Sequence, residues 1–303
     1  MKRSNEKRGS LLLILFLVTL TITGMYIHTH LPAAASANIT AALKDSREEI
    51  SLPILMYHGI TDNPAQVSEY FILAEDFEKD LQWLADHGYT TVSFQQLADY
   101  AENGARLPEK PVLITFDDGY YNNYERAFPL LQKYSAKAVI NLIGSESDMY
   151  SNQVFRPEGG GSITWGEAAN LVRSGLVEIG SHTYDLHRTD GSGTGVNKGR
   201  KGADRLPDES YEDYRAALLD DLGRNQQRIA DATGQPAIVF AWPYGAWPTD
   251  GSADPILKEL GFKGSLTSYQ IMNTIRKGDP DSLFGLKRFL RTPDFVLADH
   301  LPA

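Results

Sequence analysis

The chain has 303 residues, of which 42 % are hydrophobic and 22 % are charged, a balance typical of a globular protein and not of a disordered, collagen-like or multi-span membrane protein. Its formal net charge is −10, and an acidic protein repels phosphate backbones, so nucleic-acid binding is not expected. The absence of cysteine excludes disulfides, thiol catalysis and cysteine-bound zinc, so any metal must be held by His, Asp or Glu.

Residues 1–31 are predicted to be a targeting segment. A basic start precedes an apolar run over residues 11–27, the order found in signal peptides and N-terminal membrane anchors. Small residues at 35–37 offer a cleavage site, so both release and retention as an anchor stay open. Residues 32–50 are small and polar and are predicted to be a tether. In either case the folded part, residues 51–303, is expected outside the cytoplasm, secreted or at the cell surface.

Within that folded part, apolar β-prone runs alternate with helical patterns. The predicted strands cover residues 53–57, 89–94, 111–116, 137–143, 176–180, 237–242, 263–267 and 284–290. The predicted helices lie around residues 77–84, 122–134, 211–233 and 254–260, and two more begin at the capping boxes of Ser93 with Gln96 and Thr164 with Glu167.

This alternation predicts a single α/β domain. A (β/α) barrel, complete or incomplete, fits the pattern best, and a doubly wound open sheet is the alternative. Strand 111–116 is apolar throughout, as expected for a parallel strand that is buried on both faces. Residues 188–208 are rich in Gly, Asp and Lys and are predicted to form a surface loop.

Several predicted strands end in residues that can do chemistry. These are His58, the pair Asp117-Asp118, His182 with His187 shortly after it, and Pro243-Tyr244-Gly245. Because the carboxyl ends of parallel strands meet on one face of the sheet, we expect these residues to share one site. Taken singly, each also fits a structural role, since an aspartate can cap a helix and a histidine can be a buried hydrogen-bonding residue.

The two later histidines and one of the aspartates form a possible metal-binding set. Three such ligands without a thiolate match a catalytic zinc site that keeps an open position for water. His182 and His187 are five residues apart and therefore do not share one face of a helix. A turn must bring their rings together if they bind the same ion.

These motifs resemble the polysaccharide deacetylase family, also called the NodB-homology family or carbohydrate esterase family 4. The resemblance rests on Thr115-Phe-Asp-Asp-Gly119 together with Ser181-His-Thr-Tyr-Asp-Leu-His187, and it extends over residues 52–291. It implies a distorted seven-stranded (β/α) barrel that removes acetyl groups from N-acetylated sugars. It also implies a divalent metal, usually Zn²⁺, with Co²⁺ or Ni²⁺ as alternatives.

The resemblance assigns roles by position. Asp117 matches the catalytic base of the family, and the residues that match its metal ligands are Asp118, His182 and His187. The stretch Trp242-Pro-Tyr-Gly245 is similar to the third family motif, which implies that the backbone amide of Tyr244 helps to hold the oxyanion.

The chain also departs from the usual family pattern. The histidine spacing is one residue longer than H-x-x-x-H, the third motif lacks its leading Arg, and no late Leu-x-His motif follows, since His300 lies in the tail. These departures resemble the branch that deacetylates poly-β-1,6-N-acetylglucosamine, in which a circular permutation moves the acid histidine to the first strand. This resemblance implies that His58 fills that role, and we expect Arg288 to replace the missing Arg by pairing with Asp117.

The implied substrate is an extracellular N-acetylglucosamine polysaccharide, with poly-β-1,6-N-acetylglucosamine as the first choice. Peptidoglycan, chitin oligomers and acetylated xylan are alternatives, as is a non-catalytic module that binds glycans at the cell surface. Loops such as 144–163 and 188–210 are expected to set the choice. A membrane partner is expected only through an uncleaved N-terminal segment, and the sequence does not predict the oligomeric state.

Overall fold

The computed structural model describes residues 48–153, 160–189 and 198–302. The predicted targeting segment and most of the predicted tether therefore lie outside the described residues, and the last two tether residues, Glu49 and Ile50, belong to the first strand. Residues Glu49–Ala303 form one compact unit. Within the described part of the chain, no helix has both the length and the apolar character needed to cross a bilayer.

The strands follow one another along the chain in this order: β1 (Glu49–Leu52), β2 (Ile54–Tyr57), β3 (Gly59–Thr61), β4 (Phe71–Leu73), β5 (Thr90–Thr91), β6 (Pro111–Phe116), β7 (Ala138–Leu142), β8 (Val177–Ser181), β9 (Val239–Ala241), β10 (Gly264–Leu266), β11 (Asn273–Arg276) and β12 (Phe289–Leu290). The α-helices are α1 (Ala74–Asp86), α2 (Phe94–Asn103), α3 (Phe128–Tyr134), α4 (Gly144–Ser151), α5 (Trp165–Arg173), α6 (Tyr211–Thr233), α7 (Asp254–Glu259) and α8 (Leu297–His300).

A parallel sheet forms the centre of the molecule. Its strand order is β10-β9-β8-β7-β6-β2-β12, and β5 pairs with the first two residues of β6. The last segment links the two edges of this sheet, because Leu286 pairs with Leu266 in β10 and β12 pairs with β2. The predicted distorted (β/α) barrel is therefore confirmed, and the doubly wound open sheet is excluded.

Alternating side chains of the central strands enter two apolar clusters. Ile114 and Phe116 of β6 pack with Phe77 of α1, whereas Leu113 lies in a second cluster with Phe94 of α2. Strand β6 is buried along its whole length, as its unbroken apolar sequence predicts. This packing fixes the register of the strands, and hence the positions of the residues that follow them.

Most predicted elements are confirmed. Helix α6 has the predicted bounds, and both capping boxes are present at the N-termini of α2 and α5. The predicted strand 89–94 is reduced to Thr90–Thr91, because Ser93 already caps α2. The predicted helix 122–134 starts with a π-helical turn, Asn123–Ala127, before α3.

The predicted surface loop 188–208 is only partly described, since residues 190–197 lie outside the described residues. The prediction is wrong for Arg200, which is 2 % exposed and forms an ion pair with Glu209. A guanidinium can be buried only with such a partner. This part of the loop is therefore packed against the body of the protein.

Candidate active site

The residues predicted from the sequence meet around one cavity of about 460 Å³. It lies at the carboxyl ends of the central strands, where parallel α/β folds build their sites. Its walls include every residue to which a catalytic or metal-binding role was assigned: His58, Asp117, Asp118, His182, His187, Tyr244 and Arg288. The convergence expected from the strand ends is therefore present in the fold.

Asp118, His182 and His187 form a compact cluster, with one ligand atom from each within 4.8 Å of the others. Asp118 Oδ1 lies 3.5 Å from His182 Nε2 and 3.2 Å from His187 Nε2. The turn that the histidine spacing requires begins at Thr183, whose backbone has a φ of 74°. One oxygen and two imidazole nitrogens suit Zn²⁺ and similar divalent ions.

Hydrogen bonds to the Nδ1 atoms of His182 and His187 fix which ring nitrogen faces the cluster. His182 Nδ1 donates to the Ala241 carbonyl at 2.8 Å, and His187 Nδ1 is hydrogen-bonded to the Tyr244 hydroxyl at 3.1 Å. Each ring therefore turns its Nε2 toward Asp118, as metal-binding histidines with such a supporting partner do. The sequence predicted a role for the backbone amide of Tyr244. The hydrogen bond from its side chain to His187 was not predicted.

Asp118 itself has the environment expected of a metal ligand. Its Oδ1 atom is buried and faces the Nε2 atoms of His182 and His187. Burial raises the pKa of this carboxyl, but the neighbouring His182 and His187 outweigh that effect and hold the pKa well below its usual range. A buried, ionised carboxylate that faces two imidazole nitrogens fits a divalent cation.

Asp117 is held by Arg288 across the mouth of the barrel. The guanidinium donates to Asp117 Oδ1 and Oδ2 at 2.7 Å each, and Asn141 donates to Oδ1, also at 2.7 Å. Burial raises the pKa of Asp117, and the Arg288 charge overcomes this and keeps the pKa well below its usual range. Asp117 is therefore a carboxylate, and Oδ2 keeps an acceptor position after its bond with Arg288.

His58 lines the same cavity, at the end of β2. Its ring lies edge-on to Tyr70 with 4.9 Å between centroids, and its Nδ1 is buried without a partner among the described residues. Burial lowers the pKa of this ring, although Asp117 and Asp118 partly oppose the effect. His58 is therefore neutral at pH 7 and must accept a proton before it can donate one.

Two asparagines that support the predicted site were not identified from the sequence. Asn141, at the end of β7, donates to Asp117, and Gly180 on β8 leaves room for it, since a Cβ there would lie 2.0 Å from Asn141 Oδ1. Asn123, in the π-helical turn, donates to the His58 carbonyl at 2.6 Å. The sequence signal for Asn141 was a polar residue inside an otherwise apolar buried strand.

Helix α6 holds the loop between the two histidines. Asp221 accepts hydrogen bonds from the backbone amides of Tyr184 and Asp185 at 2.7 and 2.8 Å, and Asn225 donates to the Thr183 carbonyl at 2.9 Å. Asp221 and Asn225 are both buried and lie one helical turn apart. Polar residues on the apolar face of α6 were the signal that could have revealed this support.

Backbone strain is concentrated at the same place. Asp118, Thr183 and Tyr244 have φ values of 67°, 74° and 57°, a conformation that residues with a side chain seldom adopt. Such strain persists only where the surrounding structure enforces it, and it is common at functional sites. The site thus combines a candidate metal cluster, an ionised carboxylate and a neutral histidine, a set suited to metal-assisted hydrolysis.

The sequence is similar to those of known proteins. The family model described as polysaccharide deacetylase matches residues 104–265, more than half of the chain. A poly-β-1,6-N-acetyl-D-glucosamine N-deacetylase of Escherichia coli (strain K12) is 30 % identical over 220 residues, which are 69 % of this chain and 32 % of that protein. The chain thus spans about a third of the length of this curated relative.

Two solved structures resemble the fold over most of the chain. A de-N-acetylase from Aggregatibacter actinomycetemcomitans is 30 % identical with a TM-score of 0.67, and the match covers 82 % of this chain and 97 % of that one. IcaB from Ammonifex degensii is 30 % identical with a TM-score of 0.64, covering 80 % and 93 %. On the extent of the family match, together with these similarities, the chain belongs to the polysaccharide deacetylase family.

Proposed function

We propose that this protein removes N-acetyl groups from poly-β-1,6-N-acetylglucosamine by metal-dependent hydrolysis. The observation that carries the proposal is the meeting, in one cavity, of a possible metal cluster with an ionised carboxylate and a buried histidine. The substrate is proposed from the E. coli relative, whose name states that polymer. Because the polymer is extracellular and the chain starts with a predicted targeting segment, we place the reaction outside the cytoplasm, with the protein secreted or anchored.

Zn²⁺ is the metal we propose for Asp118, His182 and His187. The two Nε2 atoms and Asp118 Oδ1 fit such an ion, and three protein ligands leave a position for water or substrate. When bound, the ion supplies Lewis-acid polarisation of the acetamide carbonyl and lowers the pKa of water. Co²⁺ or Ni²⁺ would be compatible with the same donors.

Asp117 acts as the base in this proposal. It accepts a proton from the attacking water at the acceptor position left on Oδ2, while Arg288 and Asn141 hold its carboxylate in place. Since the carboxylate is ionised throughout the neutral range, it is always ready to accept. Arg288 has no contact with the substrate in this scheme and positions Asp117.

His58 completes the proton transfer. Its ring, once protonated from solvent, donates that proton to the sugar nitrogen as the C–N bond breaks, while Asp117 returns the proton of the attacking water to solvent. The backbone amide of Tyr244, in the strained turn after β9, stabilises the negative charge that develops on the acetyl oxygen. The products are acetate and a glucosamine unit.

Acetate release tests this proposal. The zinc-loaded chain is incubated with β-1,6-linked N-acetylglucosamine oligomers, chitin oligomers, peptidoglycan and acetylated xylan, each with and without a chelator. We expect chelator-sensitive release that is fastest from the β-1,6 oligomers. Faster release from another polymer would replace the proposed substrate, and no release from any of them by the metal-loaded protein would favour a glycan-binding role.

A further inference from the structure

A second cavity of about 360 Å³ adjoins the catalytic cavity and shares the side chains of Asp118, Tyr120 and His187 with it. Its volume is within the range of small-molecule sites, roughly 300–1,000 Å³. We call it the flanking cavity. Because the two cavities have walls in common, a polymer with one unit at the metal cluster can place a neighbouring unit here.

Among the described residues, the flanking cavity contains one carboxylate without a cationic partner. Glu146, in the first turn of α4, is partly buried and forms no hydrogen bond or ion pair with any residue that the structure describes. The other two carboxylates in the walls are engaged, since Asp118 faces the histidines and Asp185 pairs with Arg188 at 2.5 Å. Glu146 is therefore the carboxylate available to a ligand.

A third cavity, of about 1020 Å³, shares Ser68 and Phe71 with the catalytic cavity and differs in charge. Both of its carboxylates, Asp62 and Glu125, form ion pairs with Arg126, which lies between them. The flanking cavity and the third cavity both adjoin the catalytic cavity and could hold sugar units. Of these two, only the flanking cavity has, among the described residues, an acidic side chain without a cationic partner.

The flanking cavity also has an aromatic wall. Gly161 has a φ of 66°, and a Cβ at this position would lie 2.2 Å from the Tyr150 ring. The glycine therefore lets the tyrosine ring pack directly against the backbone, at the rim of the cavity. An aromatic face with a few polar groups is a common composition for a site that binds a small organic ligand.

We propose that the flanking cavity binds a sugar unit that has already lost its acetyl group, with Glu146 pairing with its protonated amine. This inference rests on the proposed function, because a chain under deacetylation carries ammonium groups beside remaining acetamides. An acetamide offers no positive charge to Glu146, whereas an ammonium does. The consequence is that each deacetylation makes a neighbouring unit a better substrate, so free amines accumulate in clusters along the polymer.

Defined β-1,6 tetramers test the proposal. One is fully N-acetylated, and the others carry a single glucosamine on one or the other side of an N-acetyl unit. We expect the wild type to have a higher kcat/KM for one of the glucosamine-containing tetramers. In Glu146→Gln the ratio of kcat/KM between that tetramer and the acetylated one should fall about fivefold, the factor for roughly 1 kcal/mol from a partly exposed charge pair.

Added salt should reduce the wild-type ratio, because it screens the charge pair. Glu75→Gln, on the exposed face of α1 and outside these cavities, is the matched control and should keep the wild-type ratio. Equal kcat/KM values of the wild type for all tetramers, or an unchanged ratio in Glu146→Gln, would overturn the inference.

Binding separates this inference from the proposed function. The fully deacetylated tetramer is titrated into the wild type and into Glu146→Gln, with heat as the readout, so no turnover is needed. We expect the dissociation constant to be about fivefold higher for the variant. Equal dissociation constants would refute the role of Glu146 even if acetate is released, whereas failure of acetate release with a clear difference in binding would refute only the proposed reaction.

Discussion

Arg288 meets Asp117 through two hydrogen bonds of 2.7 Å, although 171 positions separate them in the chain. The topology explains this contact. Arg288 immediately precedes β12, which pairs with β2, and β2 pairs in turn with β6, the strand that ends before Asp117. The guanidinium is 1 % exposed and also donates to the Thr267 carbonyl at 2.8 Å. A buried two-point contact of this kind fixes both the charge and the orientation of a carboxylate.

Arg288→Met should therefore change the pH dependence of deacetylation. In the wild type Arg288 keeps the pKa of Asp117 low, so removing it leaves burial as the main influence and raises that pKa. The acid limb of kcat/KM against pH should move to higher pH, because Asp117 must be ionised to accept a proton. A pH–rate profile measures the shift, and an unmoved acid limb would contradict the assignment of Asp117 as the base.

The same variant should be less stable, because it leaves a buried carboxylate without its partner, at a cost of roughly 3–5 kcal/mol. The double variant Arg288→Met with Asp117→Asn removes both charges and should regain part of that stability. Arg288→Lys keeps the charge but has one nitrogen where the guanidinium uses two to contact both oxygens of Asp117. Its activity should therefore lie between those of the wild type and Arg288→Met. Urea unfolding of these variants separates the effect on stability from that on catalysis.

Metal content should distinguish the two neighbouring aspartates. Asp118→Asn and His182→Ala each remove a proposed ligand. Loss of a residue that only hydrogen-bonds to a ligand lowers metal affinity roughly 10- to 100-fold, so these two variants should lower zinc affinity by more than that. Asp117→Asn should retain the metal and lose turnover. His87→Ala, whose ring stacks on Trp83 and does not line the cavity, is the control. Normal zinc content in His182→Ala after dialysis would refute its role as a ligand.

The sequence predicted the parts of the fold that depend on local signals. The apolar run of β6 and the capped, periodic pattern of α6 gave their bounds correctly, because both patterns extend over many residues. Strand β12 is two residues long and pairs with β2 at the other end of the chain, so its length reflects tertiary contacts alone. The pairing of β1 with β11 was missed for the same reason.

The residues that form the candidate site could be predicted from the sequence. The residues that hold them in place by hydrogen bonds could not. Asp117 and His182 could be identified because each directly follows a strand, and parallel strands share one carboxyl edge. Asn123 and Asn225 contribute hydrogen bonds from a π-helical turn and from the middle of a helix, and no spacing rule links them to the site. Their partners are backbone carbonyls of distant loops, which only the assembled fold brings near.

His58→Ala should impair catalysis and spare metal binding. The ring lines the cavity and is absent from the metal cluster, so zinc content should match that of the wild type. Loss of a proton donor should lower kcat by roughly 10²–10⁴-fold. Asn123→Ala, which releases the His58 carbonyl, should give a smaller loss in the same direction. A near-wild-type kcat in His58→Ala would assign this residue a structural role.

Asp221→Asn tests whether α6 positions the metal-binding loop. Both carboxylate oxygens of Asp221 accept backbone N–H groups, and an asparagine would turn an NH₂ group toward one of these donors. The buried mismatch should cost about 1–3 kcal/mol of unfolding free energy, and the looser loop should weaken zinc binding by roughly 10- to 100-fold. Asp220→Asn, an exposed neighbour on the same helix, should change neither property.

Zinc titration monitored by competition with a chelator, together with thermal unfolding of the apo and zinc-loaded proteins, measures both effects. If α6 positions the loop, Asp221→Asn should lose part of the stabilisation that zinc gives to the wild type, because weaker binding contributes less to the folded state. Equal zinc affinity in Asp221→Asn and Asp220→Asn would show that the loop holds the two histidines without this support. Asp221 would then contribute to folding alone.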